Sequence, residues 1–301
     1  MRVRDEGLKS EALQVALKKA VGGQTDALED LLCRHGGGAD PRPNFRLAAA
    51  LGVEIAALAH PPLKLLARLT DDDSDPETPQ VFLSIAAAHG WAALVRAGKH
   101  AAEAWAALGI LAGDERAPVR LGTLDALGTI LTRKGGPAEM MENAGAWLTQ
   151  DDLDLRYSAT ALALEVLGSK AAMAALAARP EFLDYLARAI DEIATAPRSA
   201  ERLDGRRRLL MSLPQTLGAV VASSDPAGRC LDWMEAQCAN ADQPDARKLL
   251  SDAILLLRKH GAGPVIIERF RGVMAKSAKP LRDPSRLRPG TARGKASRPM
   301  R

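Results

Sequence analysis

A short phrase that recurs about every forty residues is the feature that most constrains the fold of this chain. Each copy has a turn with Asp or Pro, then an apolar or small residue and usually an Arg, then an alanine-rich segment. One residue of each copy serves as its anchor: Phe45, Val81, Val119, Leu155, Arg206 and Ala246. The intervals between anchors are 36, 38, 36, 51 and 40 residues. Helical units repeating at this period are typical of stacked helical pairs, which bury one another's apolar faces.

The segments that follow the anchors share an apolar stripe. Counted from the anchor, positions 0, 4, 7 and 11 are mostly apolar or small, as in Val119, Thr123, Ala126 and Ile130. This spacing is one face of a helix with 3.6 residues per turn, and no alternating run that would indicate a strand is present. The sequence therefore predicts an all-α fold. The anchored helices are expected at 43–59, 77–97, 117–133, 152–168, 199–222 and 244–260.

The repeated turn Asp and the Arg early in the next helix resemble the HEAT/armadillo-like family over residues 40–260. That resemblance implies a right-handed α-solenoid of about six helical-hairpin repeats. We expect it to occupy 1–275, with capping helices in 8–34 and an insertion near 168–205, where the interval is longest. In the family, the Asp and the Arg tie consecutive repeats together. The corresponding residues here are Asp40 with Arg46, Asp114 with Arg120, Asp151 or Asp152 with Arg156, Asp204 with Arg207, and Asp242 or Asp245 with Arg247.

The net charge of +4 comes from the C-terminal end of the chain. Residues 276–301 hold nine basic residues and one acid, so the remaining body has 32 basic and 36 acidic residues. This segment is rich in Pro and Gly and poor in apolar residues, so we predict a disordered tail. Its cations could bind nucleic acid or another polyanion. They are Lys276, Lys279, Arg282, Arg286, Arg288, Arg293, Lys295, Arg298 and Arg301.

Motifs of catalysis and of metal binding are missing from the sequence. There is no HExxH, no Walker A sequence and no G-x-S-x-G elbow, and the three cysteines form no CxxC pair. We therefore predict no catalytic residues, no metal and no cofactor. The start of the chain has no apolar core of a signal peptide, and no apolar run is long enough to span a bilayer. We expect a cytoplasmic protein without a membrane span.

The predicted function is that of a non-catalytic scaffold whose concave face binds another protein or a peptide. The candidate binding residues are the polar ones outside the core stripe: Glu54, Ser84, Asp125, Thr129, Glu165, Gln215, Thr216 and Asp252. The four acids among them favour a partner with positive charge.

Two alternatives remain open. One is a nucleic-acid-binding protein or a HEAT-like DNA glycosylase, which would need an exposed Asp and exposed tryptophans in a basic groove. The tryptophans available for such a site are Trp91, Trp105, Trp147 and Trp233. The other alternative is a chaperone-like or lyase-like HEAT protein that handles another protein's cofactor.

Overall fold

The computed structural model describes residues 2–38, 42–177, 179–223 and 228–276, with side chains from residue 11 onward. Helices make up most of this part of the chain, and it contains no strand. Fifteen α-helices are described: α1 (Arg2–Val21), α2 (Asp26–Gly36), α3 (Phe45–Ala57), α4 (Leu63–Thr70), α5 (Phe82–Ala97), α6 (Ala101–Gly113), α7 (Ala117–Leu131), α8 (Gly136–Trp147), α9 (Leu153–Leu167), α10 (Lys170–Leu176), α11 (Pro180–Ala194), α12 (Asp204–Ala222), α13 (Arg229–Asn240), α14 (Pro244–Leu256) and α15 (Pro264–Lys276).

The six anchored helices are α3, α5, α7, α9, α12 and α14, and each one contacts the next in this order. The helices between the anchored ones pack in a regular way. Each of them contacts the anchored helix that follows it in the chain, as seen for α4, α6, α8, α11 and α13. The all-α prediction is confirmed by these described residues. Two short 3₁₀ turns, Pro79–Val81 and Arg198–Arg202, occupy positions where the sequence predicted continuous α-helix.

The predicted stripe forms the core. In α7, Val119, Thr123, Ala126 and Ile130 are all fully buried. Glycines allow neighbouring helices to approach closely: a Cβ on Gly122 would lie 2.6 Å from Ile85 Cγ2 in α5. The stripe of small and apolar residues thus lets each anchored helix pack closely on the next one. The apolar surface that this packing removes from water stabilises the fold.

The early Arg of three repeats makes the same contact, although it is not the predicted one. Arg120 Nη1 donates to Asp114 O at 2.8 Å, Arg156 Nε to Gln150 O at 2.6 Å, and Arg247 Nη1 to Ala241 O at 3.3 Å. Each acceptor is the carbonyl six residues earlier, in the turn before the helix. The Arg therefore holds the turn through its backbone. Arg120 and Arg156 were expected to pair with a turn carboxylate, and this expectation is wrong. Each of them instead bonds to a turn carbonyl that has no partner within a helix.

The turn carboxylates have other roles. Asp152 caps α9, since its side chain accepts from Asp154 N at 2.9 Å and from Leu155 N at 3.0 Å. Asp204 and Arg207 form the predicted ion pair. Asp40, the expected partner of Arg46, lies outside the described residues. So does the predicted basic tail apart from Lys276, the last residue of α15.

The longest anchor interval contains additional helices. Helices α10 and α11 and the 3₁₀ turn at Arg198–Arg202 lie between α9 and α12. Helix α12 continues through Pro214, and the side chain of this proline is buried. Within the described residues no single helix combines the length and apolar composition of a bilayer span. Helices α9 and α10 reach that length and composition only together, and they meet at 87°.

Candidate functional site

A groove opens on the side of α7 that faces away from its core stripe. At 100° per residue, positions 121, 124, 125 and 128 fall opposite the buried residues 119, 123, 126 and 130, and position 129 lies to one side of them. With α9 and the first residue of α3 they enclose a cavity of about 540 Å³. We call it the central groove. Its lining residues are Phe45, Leu121, Leu124, Asp125, Gly128, Thr129, Leu131, Thr132, Glu165, Val166 and Ser169.

A buried histidine lies beneath one side of the central groove. His89 of α5 is 3% exposed, its ring stacks on Phe45 with 6.0 Å between ring centroids, and its Nε2 is 3.6 Å from Asp125 Oδ2. That distance is too long for a hydrogen bond, and Nε2 has no other partner among the described residues. Burial lowers the pKa of His89 more than the nearby Asp125 raises it. The imidazole is therefore neutral at pH 7, and the charge of Asp125 remains uncompensated at the groove.

A second acid, Glu165 of α9, lies on the other side of the central groove. Burial raises the pKa of Glu165, and this effect is opposed by the guanidinium groups of Arg120 and Arg208. Arg208 is held by Ser158, whose Oγ accepts from its Nη1 at 3.0 Å. These two cations lie close to Glu165 but do not line the cavity. The groove itself presents acids on an apolar surface.

Three of the eight predicted binding residues come together in this groove, namely Asp125, Thr129 and Glu165. The other five lie elsewhere. Glu54 is half-buried and accepts from Gln14 Nε2 at 2.9 Å, so it ties α3 to α1. Gln215 is exposed on α12, Asp252 is half-buried on α14, and neither lines the central groove.

Ser84 and Thr216 are buried, which corrects the prediction that they contact a partner. Ser84 is fully buried, and its Oγ accepts from Arg116 Nη2 at 3.1 Å. Thr216 is 2% exposed, and its Oγ1 donates to Leu164 O of α9 at 3.1 Å. Both side chains lie beside the stripe, where the neighbouring helix covers them, and both serve to connect adjacent repeats.

Exposed apolar residues on the anchored helices are a feature that the sequence prediction did not include. Leu121 is 42% exposed in the central groove, and two further residues are exposed at comparable helix positions, Met211 on α12 at 74% and Leu255 on α14 at 65%. Counted from their anchors, they stand at positions 2, 5 and 9, opposite the stripe. An apolar residue opposite an apolar stripe is a signal that can be read from the sequence.

The tryptophans are packing residues. Trp91, Trp105 and Trp147 are at most 4% exposed, and Trp91 Nε1 donates to Thr70 Oγ1 at 2.9 Å. Trp233 is partly buried against the core. None of the four lines the central groove. Across the described residues, no group of three His, Cys, Asp or Glu side chains is close enough together to hold a metal ion.

Comparison with known proteins adds no relative. No protein-family model, no curated protein and no solved structure matches this chain.

Proposed function

We propose that this chain is a HEAT/armadillo-like α-solenoid that acts in the cytoplasm as a protein-binding scaffold. Three features support the repeat architecture: the ordered contacts of the six anchored helices, the buried stripe, and the Arg that bonds to a carbonyl six residues earlier in three repeats. Each repeat contacts its neighbours along the chain, as expected for an array that grows in one dimension. Cys33, Cys230 and Cys238 are thiols that form no disulfide, which suits a reducing compartment.

The central groove is the proposed binding site, and its occupant is a peptide segment of another protein that carries apolar and basic residues. The observation that carries this proposal is the lining itself: four exposed or half-buried apolar side chains combined with Asp125 and Glu165, and no cation among the described lining residues. Apolar contact supplies the affinity, and an acidic rim selects and orients a cationic partner. The apolar lining residues are Phe45, Leu121, Leu124 and Leu131.

Size and exposure fit a peptide anchor. A cavity of about 540 Å³ accommodates one or two large side chains, and the exposed Leu121 borders it. Burying one such side chain contributes about 1.5–3 kcal/mol, from which the cost of ordering the peptide must be subtracted. Two such side chains would contribute about 3–6 kcal/mol before that cost, so we expect an affinity of about tens of micromolar or weaker for a single segment and a strong dependence on one or two anchor residues.

Selection from a random 12-residue peptide library on the immobilised full chain tests the proposal. Peptides that combine Leu or Phe with Lys or Arg should be enriched, and a labelled representative should show saturable fluorescence anisotropy. We expect Leu121→Ala to weaken its binding about tenfold, because a buried leucine contact is lost. The control is Ile110→Ala on α6, which removes a similarly exposed apolar side chain outside the groove and should bind normally.

Charge reversal provides the second arm of the experiment. Replacing both Asp125 and Glu165 with Lys should abolish binding of the basic peptide. The melting temperature should fall only modestly, because both side chains are exposed, although the new cation at position 165 lies close to Arg120 and Arg208. The matched control reverses two exposed acids away from the groove, Glu142 and Asp184. Selected peptides without a basic excess, or equal binding to both double variants, would refute the proposed site.

A further inference from the structure

A second cavity lies where the repeat spacing is irregular. It is enclosed by the end of α9, by α10, by the start of α11, by the C-terminal end of α12, by the start of α13 and by the turn after α14. Its volume is about 870 Å³, which is within the range of small-molecule sites. We call it the basic cavity, because its charged lining residues are Lys170, Arg179 and Arg229.

The three cations stand at the starts of three helices: Lys170 and Arg229 are the first residues of α10 and α13, and Arg179 directly precedes α11. All three side chains are exposed. The described residues that line the cavity include no carboxylate, and none of the three cations forms an ion pair with a described residue. Arg179 Nε donates to Ala175 O at 3.0 Å, which fixes the base of its guanidinium group. The remaining N–H groups of Arg179 make no hydrogen bond to a described residue. Like charges that converge without partners repel one another, and an anion would relieve this repulsion.

A histidine of the basic cavity also lacks a partner. His260 Nε2 is shielded from water, and no described residue forms a hydrogen bond with it. The ring lies close against α12, since a Cβ on Gly218 would be 2.7 Å from His260 Cδ2. The imidazole therefore closes the cavity on the side of α12, and its Nε2 faces that helix and not the cavity.

The remainder of the lining is apolar and small. Ala174, Ala219 and Ala222 contribute methyl groups, and Met173 contributes a flexible thioether. Because these side chains are small, they leave room for a ligand, and they can contact an apolar group of several atoms. A cavity with both cations and apolar side chains in its lining suits a ligand that has an anionic end and an apolar end.

We propose that the basic cavity binds a small molecule that carries a phosphate group on an apolar body. The two guanidinium groups and the ammonium group would hold the phosphate oxygens, for which an arginine fork is well suited. The alanine methyl groups would contact the apolar body. This site is separate from the central groove, so it does not depend on the function proposed for that groove.

Calorimetric titration of the full chain with phenyl phosphate tests the proposal. Phenyl phosphate should bind at least tenfold more tightly than inorganic phosphate because of its ring, and benzyl alcohol, which lacks the anion, should give no binding signal. Replacing Lys170 and Arg229 with Gln should weaken phenyl phosphate about a hundredfold, or about tenfold for each charged hydrogen-bonding group removed. The control replaces Lys64 and Lys248, two exposed lysines on α4 and α14, with Gln, and should bind normally.

A second variant tests the apolar end on its own. Ala222 is exposed at the edge of the cavity, so leucine at this position fills the space without disturbing the core. Ala222→Leu should weaken phenyl phosphate about tenfold and leave inorganic phosphate unchanged. If the Lys170/Arg229 and Lys64/Lys248 double variants lose the same amount of affinity for phenyl phosphate, the binding is due to general charge attraction and the proposal is overturned. Unchanged binding in every variant, or no binding of phenyl phosphate to the wild type, would also overturn it.

Discussion

Arg116 offers the sharpest test of how neighbouring repeats are held together. It stands just before α7, is 8% exposed, and connects the turn after α6 with the loop between α4 and α5. Its Nε and Nη2 donate to the two oxygens of Asp114 at 2.9 and 2.7 Å, and its Nη1 donates to Asp72 Oδ2 at 3.3 Å. A bidentate contact of this kind is among the stronger polar interactions in proteins.

Replacing Arg116 with Met keeps most of the side-chain volume and removes the cation. Removing one partner of a buried ion pair costs about 3–5 kcal/mol, because the other charge remains buried. Asp114 and Asp72 are 15% and 17% exposed, and Asp114 also accepts from the Arg116 backbone N at 2.8 Å. Because both carboxylates keep some contact with water and Asp114 keeps one hydrogen bond, we expect the free energy of unfolding to fall by about 3 kcal/mol, the lower limit of that range. For a domain of this size that loss corresponds to a fall in melting temperature of roughly 6–12 °C.

Thermal and urea denaturation of the full chain, followed by far-UV circular dichroism at pH 7, measures this loss. The control is Arg207→Met, which breaks the exposed pair with Asp204 and should change the midpoint by no more than about 2 °C. A double variant, Arg116→Met with Asp114→Asn, should recover about 1 kcal/mol, since the unpaired carboxylate is then also removed. If Arg116→Met is no more destabilising than Arg207→Met, the network does not hold the repeats together and the reasoning is wrong.

Two further predictions concern titration and the tail. The pKa of His89 in the folded chain is below its value in the unfolded chain, so on acidification the unfolded chain binds this proton first. The free energy of unfolding that depends on His89 should therefore be constant above about pH 7 and decrease as the pH falls below 6.5. His89→Gln should reduce this decrease in urea titrations between pH 7 and 5, and an identical slope in the variant would contradict it. Deleting 277–301 should abolish a salt-sensitive mobility shift with DNA or RNA. A shift that survives the deletion would place the polyanion site on the remaining residues.

Much of the helical framework could be predicted from sequence because it depends on local periodicity. The stripe at positions 0, 4, 7 and 11 identified the anchored helices, and prolines at Pro118 and Pro244 marked two of their starts. The partners of the long polar side chains could not be predicted in this way. Arg120 reaches carbonyl groups within its own turn. Arg116, which no repeat pattern singled out, instead donates to Ser74 O and Asp72 Oδ2, which lie 42 and 44 residues earlier in the sequence.

The candidate site was predictable only in part, for a physical reason. Asp125, Thr129 and Glu165 were identified because a polar position outside the stripe is open to solvent on an isolated helix. Ser84 and Thr216 also lie outside the stripe, but α5 is covered on several sides and α12 packs closely on α9. Whether a position beside the stripe is exposed depends on how closely the neighbouring helix approaches, and glycines such as Gly122 set that distance through contacts far away in sequence.

The two cavities differ in charge because they arise from different parts of the repeat pattern. The central groove lies between regularly spaced helices, where lining positions such as Leu121 and Asp125 come from the repeated face of α7. The basic cavity exists because the interval between Leu155 and Arg206 is too long for one hairpin, so α10 and the start of α11 pack outside the repeat register. Lys170 and Arg179 stand on this additional segment. Residues freed from burying the stripe can carry charge at low cost to the fold, so a break in repeat spacing favours the evolution of a ligand site there.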